Sequence, residues 1–358
     1  MSSPPWSLTH PARGGWPWRL WPALWRLLRP LCWRVPLLLL VTLTVFLVLR
    51  ALPVDPLGML LPATATPEDV AMLSRALGLD QPLLVQYSLW LWHALQGDWG
   101  QSIQRNLPVA GLLLQALPMT LELLVLGMGW GLLIGVGSGM LAFSLRGRWL
   151  ERAIQLLNGL TMSIPDFLWG ILLILGVGIG LQWLPFVGPM GPGIQIERIT
   201  GFLLLDSVLQ GQWAATWSVL QHLALPSLAL GLGIATPVAR ILHASLHESY
   251  NDEYIHAAQL RGIGGSQLLL RHALPNAALP TISLIGVQAS TVIGGTLLIE
   301  SIYGLPGIGS LMLSAITSHD LPVIQALTVT YAVAVQGANL LSDWLQQALN
   351  PRLREEAR

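Results

Sequence analysis

The distribution of apolar residues constrains this chain most. Six apolar stretches follow one another along the sequence, and about 20 apolar residues in a helix cross the hydrocarbon core of a bilayer. Only 10% of the residues are charged, whereas soluble domains carry about 25%. The sequence therefore predicts an all-α polytopic membrane protein with about six transmembrane helices. The predicted spans are 36–52, 121–143, 153–181, 223–242, 279–298 and 323–341.

The positive charges predict the orientation of these spans. All 18 basic residues are arginines, and fourteen of them fall before span one, between spans two and three, at or after the end of span four, or after span six. Loops rich in arginine stay in the cytoplasm, so both termini are predicted to be cytoplasmic. The first span could also be a signal peptide, but Arg50 stands where a small-residue cleavage site is needed, which favours an uncleaved anchor.

Several chemistries are excluded by residue counts. The chain has no lysine, so it contains no Walker A loop and no Schiff-base lysine. A single cysteine, Cys32, rules out an intrachain disulfide and a cysteine metal cluster. A formal net charge of zero gives no indication of a nucleic-acid partner. No G-x-S-x-G elbow occurs, so no catalytic residue is predicted.

Four regions are predicted along the chain. Residues 1–35 form an extension rich in tryptophan and arginine, in which 16–33 is either an amphipathic helix in the cytoplasmic interface or an anchor for span one. Residues 36–118 hold span one and a folded outer loop, whose first helix has Thr66 as its predicted cap. Residues 119–345 form the main transmembrane domain, and 346–358 form a cytoplasmic tail.

Glycines line one face of span two. Gly127, Gly131, Gly135 and Gly139 are each four residues apart. Such a ridge lets a neighbouring helix approach closely, and it could also form a smooth pore wall.

Prolines and carboxylates mark two other features of the spans. Pro165 and Pro237 are predicted to break spans three and four. Ionisable groups are few, with Glu122 and Asp166 predicted near helix ends. Because ion-driven carriers usually need carboxylates at mid-membrane, this scarcity favours an external energy source.

The segment 249–276, between spans four and five, is too long for a simple connection. It predicts two short helices that form a knob facing the cytoplasm, the second one ending at Pro275. Ala257 and Ala258 are predicted to keep the surface of the knob low, so that the backbone of a partner can approach. Gly262 allows the turn between the helices.

This segment carries a family resemblance. H-A-A-Q-L-R-G from His256, followed after nine residues by H-A-L-P from His272, resembles the E-A-A-x3-G-x9-I-x-L-P loop of ABC importer permeases. Further stretches resemble motifs of the dipeptide, oligopeptide and nickel branch. They are Arg50-Ala51-Leu52-Pro53-Val54-Asp55-Pro56, Gly78-Leu79-Asp80-Gln81-Pro82, Gly97-Asp98-Trp99-Gly100-Gln101-Ser102, the run from Glu300 to Gly309, and Asn350-Pro351-Arg352.

The resemblance implies the first-permease (B-type) subunit of such an importer, with the type I ABC importer permease fold, in the bacterial inner (plasma) membrane. It implies three kinds of partner besides lipid: a second homologous permease, two ATP-binding-cassette ATPase subunits, and an extracytoplasmic solute-binding protein. ATP and Mg would be bound by the ATPase subunits, so no cofactor is expected in this chain. Substrates of the branch include dipeptides, oligopeptides, nickel and metal chelates, with short peptides favoured.

The resemblance also implies two groups of site residues. The loop that docks on the ATPase is predicted to include Glu253, His256, Ala257, Ala258, Gly262, His272 and Pro275. Contacts with the binding protein, or an outer gate, are predicted at Asp80, Asp98, Pro306, Gly307 and Gly309. The proline and glycines of the second group could instead simply shape a re-entrant bend.

Three alternatives remain open from the sequence. An ATPase-independent channel or carrier would more often show internal repeats or midplane charge. A membrane scaffold would move no solute. Finally, His243 and His247 have metal-ligand spacing on a helix, but no third ligand is evident, and we interpret them as a polar helix end; no metal site is predicted.

Overall fold

The computed structural model describes residues 21–51, 66–76, 78 and 80–349. The first twenty residues of the predicted extension and the end of the predicted tail lie outside this range, as do residues 52–65. The chain forms two compact units, Met1–Leu40 and Val41–Arg358. In the first unit, the described residues belong to the N-terminal part of helix α1, Trp21–Ala51.

The described residues contain six candidate membrane crossings, as the sequence predicted. Five are continuous: Cys32–Ala51 within α1, Val109–Ser144, Trp213–Tyr250, Gly265–Tyr303 and Leu321–Gln346. The sixth crossing is a pair of helices, Trp149–Ser163 and Asp166–Gly180, bent by 103° at the break. Pro165 therefore breaks span three as predicted. Pro237 does not break span four, because that helix continues through both Pro226 and Pro237.

The helices are labelled here in chain order. On the outer side, α2 is Pro67–Ala76 and α3 is Leu83–Leu95. The long helix α4, Val109–Ser144, is followed by α5, Trp149–Ser163, and α6, Asp166–Leu173, which continues as a π-helix over Ile174–Gly180. Then come α7, Leu203–Leu209, and α8, Trp213–Tyr250. The remaining helices are α9, Glu253–Leu260, α10, Gly265–Gln267, α11, Leu274–Tyr303, α12, Ile308–Thr317, and α13, Leu321–Leu349.

The glycine face of α4 packs directly on α8. A Cβ atom at Gly131 would lie 2.6 Å from Cβ of Ile234, and one at Gly135 would lie 2.7 Å from the carbonyl oxygen of Ala235. Real Cβ atoms do not come so close, so only glycine permits this approach. The structure thus confirms helix packing as the reason for the ridge.

The outer loop begins with the predicted cap. The backbone N–H and the hydroxyl of Thr66 both donate to Oδ2 of Asp69, at 2.9 and 2.7 Å, while the backbone N–H of Asp69 donates to the Thr66 hydroxyl at 3.3 Å. This reciprocal arrangement fixes the start of α2. The backbone and hydroxyl hydrogen bonds from Thr66 hold the pKa of Asp69 below its usual range.

Three apolar clusters hold the second unit together. One joins the middles of α4, α8 and α11, around Leu123, Leu223 and Ile299. Another, at the outer end, joins α12 to α4 and α13. The last, at the other end of the long helices, joins Phe143, Leu242, Leu246 and α9. The two end clusters position the two groups of candidate site residues.

Candidate functional site

The predicted cytoplasmic knob is present, and one face of α9 anchors it. Ile255 is fully buried and Ala258 is 7% exposed, and both pack in the cluster with Phe143, Leu242 and Leu246. They lie three residues apart, so they share one face of the helix. Glu253, His256 and Ala257 are exposed on the rest of the helix and remain available to a partner.

The prediction that Ala258 keeps the outer surface of the knob low was wrong. Ala258 does not lower the outer surface of the knob but packs inward against the protein's own core, where a small side chain lets α9 lie close to the long helices. Ala257 is the residue of the pair that is exposed.

An exposed leucine that the sequence reasoning missed lies at the end of α9. The side chain of Leu260 is 90% exposed, next to the exposed Arg261 and Gly262. This side chain makes little contact with the protein's own core and leaves its apolar surface open to a partner. The signal was available in the sequence, because Leu260 is two residues from Ala258 and therefore lies off the buried face.

Gly262 makes the turn that the sequence assigned to it. Its φ is +78°, in the left-handed region that residues other than glycine avoid. Its N–H donates to the carbonyl of Gln259 at 2.9 Å. A Cβ atom there would meet nothing within 4 Å. The turn therefore needs glycine for its backbone conformation and not for space.

The second helix of the knob differs from the prediction at Pro275. It does not end there: α10 leads into a π-helix over Leu268–Ala273 and then directly into α11, with Pro275 in the first turn of α11. The wider π turn accommodates a residue that has no N–H to donate. The knob is consequently continuous with the fifth membrane crossing.

A tyrosine joins the two halves of the knob. The hydroxyl of Tyr254 accepts a hydrogen bond from the side-chain amide of Asn276 at 2.8 Å, and it lies 3.4 Å from the carbonyl of His272 and from Oγ of Ser249. The predicted His272 thus takes part through its backbone. These contacts link α9 to the start of α11.

The outer group of residues surrounds a buried carboxylate. Glu300 is fully buried in the last turn of α11 and accepts hydrogen bonds from the Thr120 hydroxyl at 2.6 Å, the Gly309 N–H at 2.7 Å and the Ser310 N–H at 3.1 Å. The Thr120 hydroxyl accepts from the Ile308 N–H at 2.9 Å. The carboxylate therefore accepts hydrogen bonds from N–H groups at the start of α12 that have no partner within the helix. Its negative charge is stabilised by the positive end of the α12 helix dipole.

The predicted glycines lie against this carboxylate. A Cβ atom at Gly307 would overlap the Glu300 carboxyl group, and one at Gly309 would lie 2.5 Å from Cα of Leu297. Pro306 and Gly307 also line a cavity of about 220 Å³ together with Arg105 and Arg198. The sequence reasoning named neither arginine as a site residue, since they are 93 positions apart in two separate outer loops.

The two predicted outer aspartates are exposed, whereas Asp320, which was not predicted as a site residue, is buried. Asp80 is exposed, and Asp98 accepts from the Gly100 N–H at 3.0 Å, which shapes its own turn. Asp320 is buried and accepts from the Ser102 hydroxyl at 2.5 Å and the Ile103 N–H at 3.1 Å. It therefore ties the outer loop to the start of α13.

Asp166 lies at a helix end, as predicted, because it is the first residue of α6. Because span three is broken, the first residue of α6 lies against Gly233, in the middle of α8, and against Gly295 of α11. A Cβ atom at Gly233 would overlap the Asp166 carboxylate. This carboxylate thus stands at the end of its own helix but lies against the middle of α8.

Known proteins resemble this chain over most of its length. Residues 131–355 match the family model described as the inner membrane component of binding-protein-dependent transport systems, and residues 24–124 match the model of its N-terminal region. The dipeptide transport system permease protein DppB of Alkalihalophilus pseudofirmus is 31% identical over 91% of this chain and 98% of that protein. The glutathione transport system permease protein GsiC of Salmonella choleraesuis is 32% identical over 89% of this chain and 95% of that protein.

A solved structure has the same fold. An inward-facing conformation of the MetNI methionine ABC transporter superposes with a TM-score of 0.52 and 17% identity, over 67% of this chain and 96% of that chain.

Proposed function

Because this chain belongs to the family of binding-protein-dependent transport-system inner membrane components, we propose that its cargo is short peptides with a free carboxylate. The chain is a permease subunit of an ABC importer of the peptide type and has the type I fold. It is a multi-pass protein of the bacterial plasma membrane.

The cavity beside Pro306 and Gly307 carries the proposal for the cargo. Arg105 and Arg198 line it, and a guanidinium group recognises a carboxylate through paired hydrogen bonds. Two of the relatives are named as transporters of dipeptides and of glutathione, and both kinds of molecule carry such carboxylates. The glycines at this turn supply a compact wall that can open when α12 moves away from Glu300.

The knob is the proposed contact with the ATPase. Leu260 inserts into an apolar groove of that subunit, and Glu253, His256, Ala257 and Gly262 surround it. The buried residues Ile255 and Ala258 make the knob move as one body with the long helices. Two ATPase subunits bind ATP and Mg, a second homologous permease completes the path, and a solute-binding protein delivers the cargo near Asp80 and Asp98.

Uptake of a radiolabelled dipeptide into proteoliposomes that contain the complete complex tests the cargo. Exchanging both Arg105 and Arg198 for glutamine should reduce uptake at least about tenfold, because each lost charge-assisted contact is worth about 1.5–3 kcal/mol. Arg75→Gln, in the outer helix α2, is the matched control and should leave uptake unchanged. Uptake of Ni²⁺ but not of dipeptide would show that the proposed cargo is wrong.

Coupling to the ATPase is tested separately with Gly262→Pro. Proline fixes φ near −65° and has no N–H, so it cannot occupy a position with φ +78°. We expect the complex to assemble while the stimulation of ATP hydrolysis by loaded binding protein is lost. Uptake that continues without any ATPase subunit would instead identify a channel or carrier.

A further inference from the structure

Three metal-ligating side chains from two helices meet at the cytoplasmic end of the long helices. Nε2 of His243 lies 3.1 Å, and Nε2 of His247 lies 3.8 Å, from Oε1 of Glu151. The ligand atoms of the three residues all lie within 4.8 Å of one another. The histidines are one turn apart on α8, and Glu151 is the third ligand that was not evident from the sequence, since it comes from α5, 92 positions earlier.

The carboxylate is held through one oxygen, and its other oxygen faces the histidines. The backbone N–H of Gly147 donates to Oε2 of Glu151 at 2.7 Å, so Oε1 faces both imidazole rings. Gly147 has φ +78°, which lets the chain turn back and place its N–H over the carboxylate.

Two neighbours support the imidazole rings. Phe143 packs edge-on against both, with ring centroids 6.4 and 5.1 Å from those of His243 and His247. The side-chain amide of Gln155 lies 3.3 Å from both Glu151 Oε1 and His243 Nε2. Packing against Phe143 and the hydrogen bond from Gly147 therefore hold the ligands, whereas Gln155 contacts the atoms that a metal would bind and must move aside when a metal enters.

The spacing suits a small divalent metal. In a tetrahedral zinc site with bonds of about 2.0–2.1 Å, ligand atoms lie about 3.3 Å apart. The 3.1 and 3.8 Å pairs need only small shifts, and the two imidazole nitrogens, which lie within 4.8 Å of each other, must approach by up to about 1.5 Å. Two imidazoles and one carboxylate favour zinc, cobalt, nickel or copper over Mg²⁺. The exposed fractions of the side chains, 15% for His243, 16% for Glu151 and 45% for His247, leave a route from the aqueous side and room for a water ligand.

We propose that Glu151, His243 and His247 form a binding site for a late first-row divalent metal such as Zn²⁺. The metal would link α5 to the end of α8. The first of these helices leads to the break at Pro165, and the second leads into the knob. This consequence rests on the proposed function: a filled site fixes two helices that must rearrange during transport, and so slows the cycle. The site would make uptake respond to free cytoplasmic metal.

Binding is tested by titrating the purified complex, prepared without a polyhistidine tag, with Co²⁺. A site with three protein ligands should show d–d absorption between about 500 and 650 nm at one Co²⁺ per permease, and Zn²⁺ should abolish it. His243→Ala and Glu151→Gln should each weaken binding at least about tenfold. His93→Ala, in the outer helix α3, removes a histidine outside the cluster and should leave the titration unchanged.

Absence of the band, or a band that survives in a variant with both His243→Ala and His247→Ala, overturns the proposal. This readout does not depend on the cargo, so it fails or succeeds independently of peptide uptake. In a second arm, Zn²⁺ should inhibit ATP hydrolysis by the wild-type complex at concentrations at least about tenfold below those needed for His247→Ala. Binding without this difference would show that the metal does not fix the helices.

Discussion

The two ends of this permease both depend on glycine, for opposite reasons. In the cytoplasmic knob, Gly262 is surrounded by open space and needs glycine for a φ of +78°. At the outer turn, Gly307 and Gly309 have no room for a Cβ, because the Glu300 carboxylate and the backbone of α11 occupy that space. The cytoplasmic turn is thus defined by backbone conformation, and the outer turn by packing around a buried charge.

This difference indicates which end is rigid. The outer turn is held by three hydrogen bonds to a fully buried carboxylate, so its opening must break all of them together. The knob exposes most of α9 and is anchored by Tyr254 and by four buried residues, Ile255, Ala258, Leu268 and Ala273. A substitution at the outer turn should therefore change stability, whereas one in the knob should change coupling.

The largest effect is expected for Glu300→Ala. It leaves the Thr120 hydroxyl and the N–H groups of Gly309 and Ser310 without their acceptor, and each such buried group costs about 1–3 kcal/mol. We expect a loss of about 3 kcal/mol or more, measured as thermal unfolding in detergent. Glu300→Gln keeps one acceptor oxygen and should lose clearly less. Equal losses for the two variants would mean that the hydrogen bonds do not stabilise the turn.

Gly309→Ala should have the next largest effect. Its Cβ would lie 2.5 Å from Cα of Leu297, and because backbone atoms cannot move aside, overpacking of this kind costs about 1–3 kcal/mol. Thermal unfolding in detergent measures this loss of stability. Gly294→Ala, in α11, adds a methyl group into open space and serves as the control. A Gly309 variant as stable as this control would contradict the packing explanation.

A smaller effect is expected for Gly262→Ala, because a side chain in the left-handed region costs about 1–2 kcal/mol in the local stability of the turn. We expect the thermal unfolding of the whole subunit to change little, while stimulation of ATP hydrolysis by loaded binding protein falls several-fold. Gly264 has φ −66° and open space, so Gly264→Ala should behave as wild type. If the two alanine variants are equally impaired, backbone conformation is not the reason for glycine at position 262.

The smallest effect on stability is expected for Leu260→Ser. The side chain is 90% exposed, so the free energy of unfolding should change by less than about 0.5 kcal/mol. Co-purification of the ATPase subunit with the permease should nevertheless drop, since the proposed apolar anchor is lost. Met72→Ser, at an exposed apolar residue of the outer helix α2, should leave co-purification unchanged. Retention of the ATPase by the Leu260 variant would remove this residue from the interface.

The sequence predicted the membrane crossings well but was less accurate about breaks within them. All six apolar stretches lie in candidate crossings. Pro165 breaks its span, whereas Pro237 does not, since α8 continues through it. At Pro275, a π-helix takes up the mismatch. Whether a proline breaks a helix thus depends on its neighbours in space.

The same holds for the candidate sites. Periodicity could have shown that Ile255 and Ala258 face one way and Leu260 another. No local pattern could show that Arg105 and Arg198 line one cavity. Likewise, a break in span three was predicted, but its depth, and hence the place of Asp166 beside Gly233, follows from packing against α8.

The sequence by itself determined the all-helical membrane fold, the family, the position of the knob and the glycine turn at 262, because these depend on apolar length, motif spacing and local backbone conformation. Only the tertiary structure decided which glycines leave no room for a side chain, where Asp166 lies, and that Glu151 joins His243 and His247. These features depend on atoms that are far apart in the chain, and their distances are set by how the helices pack.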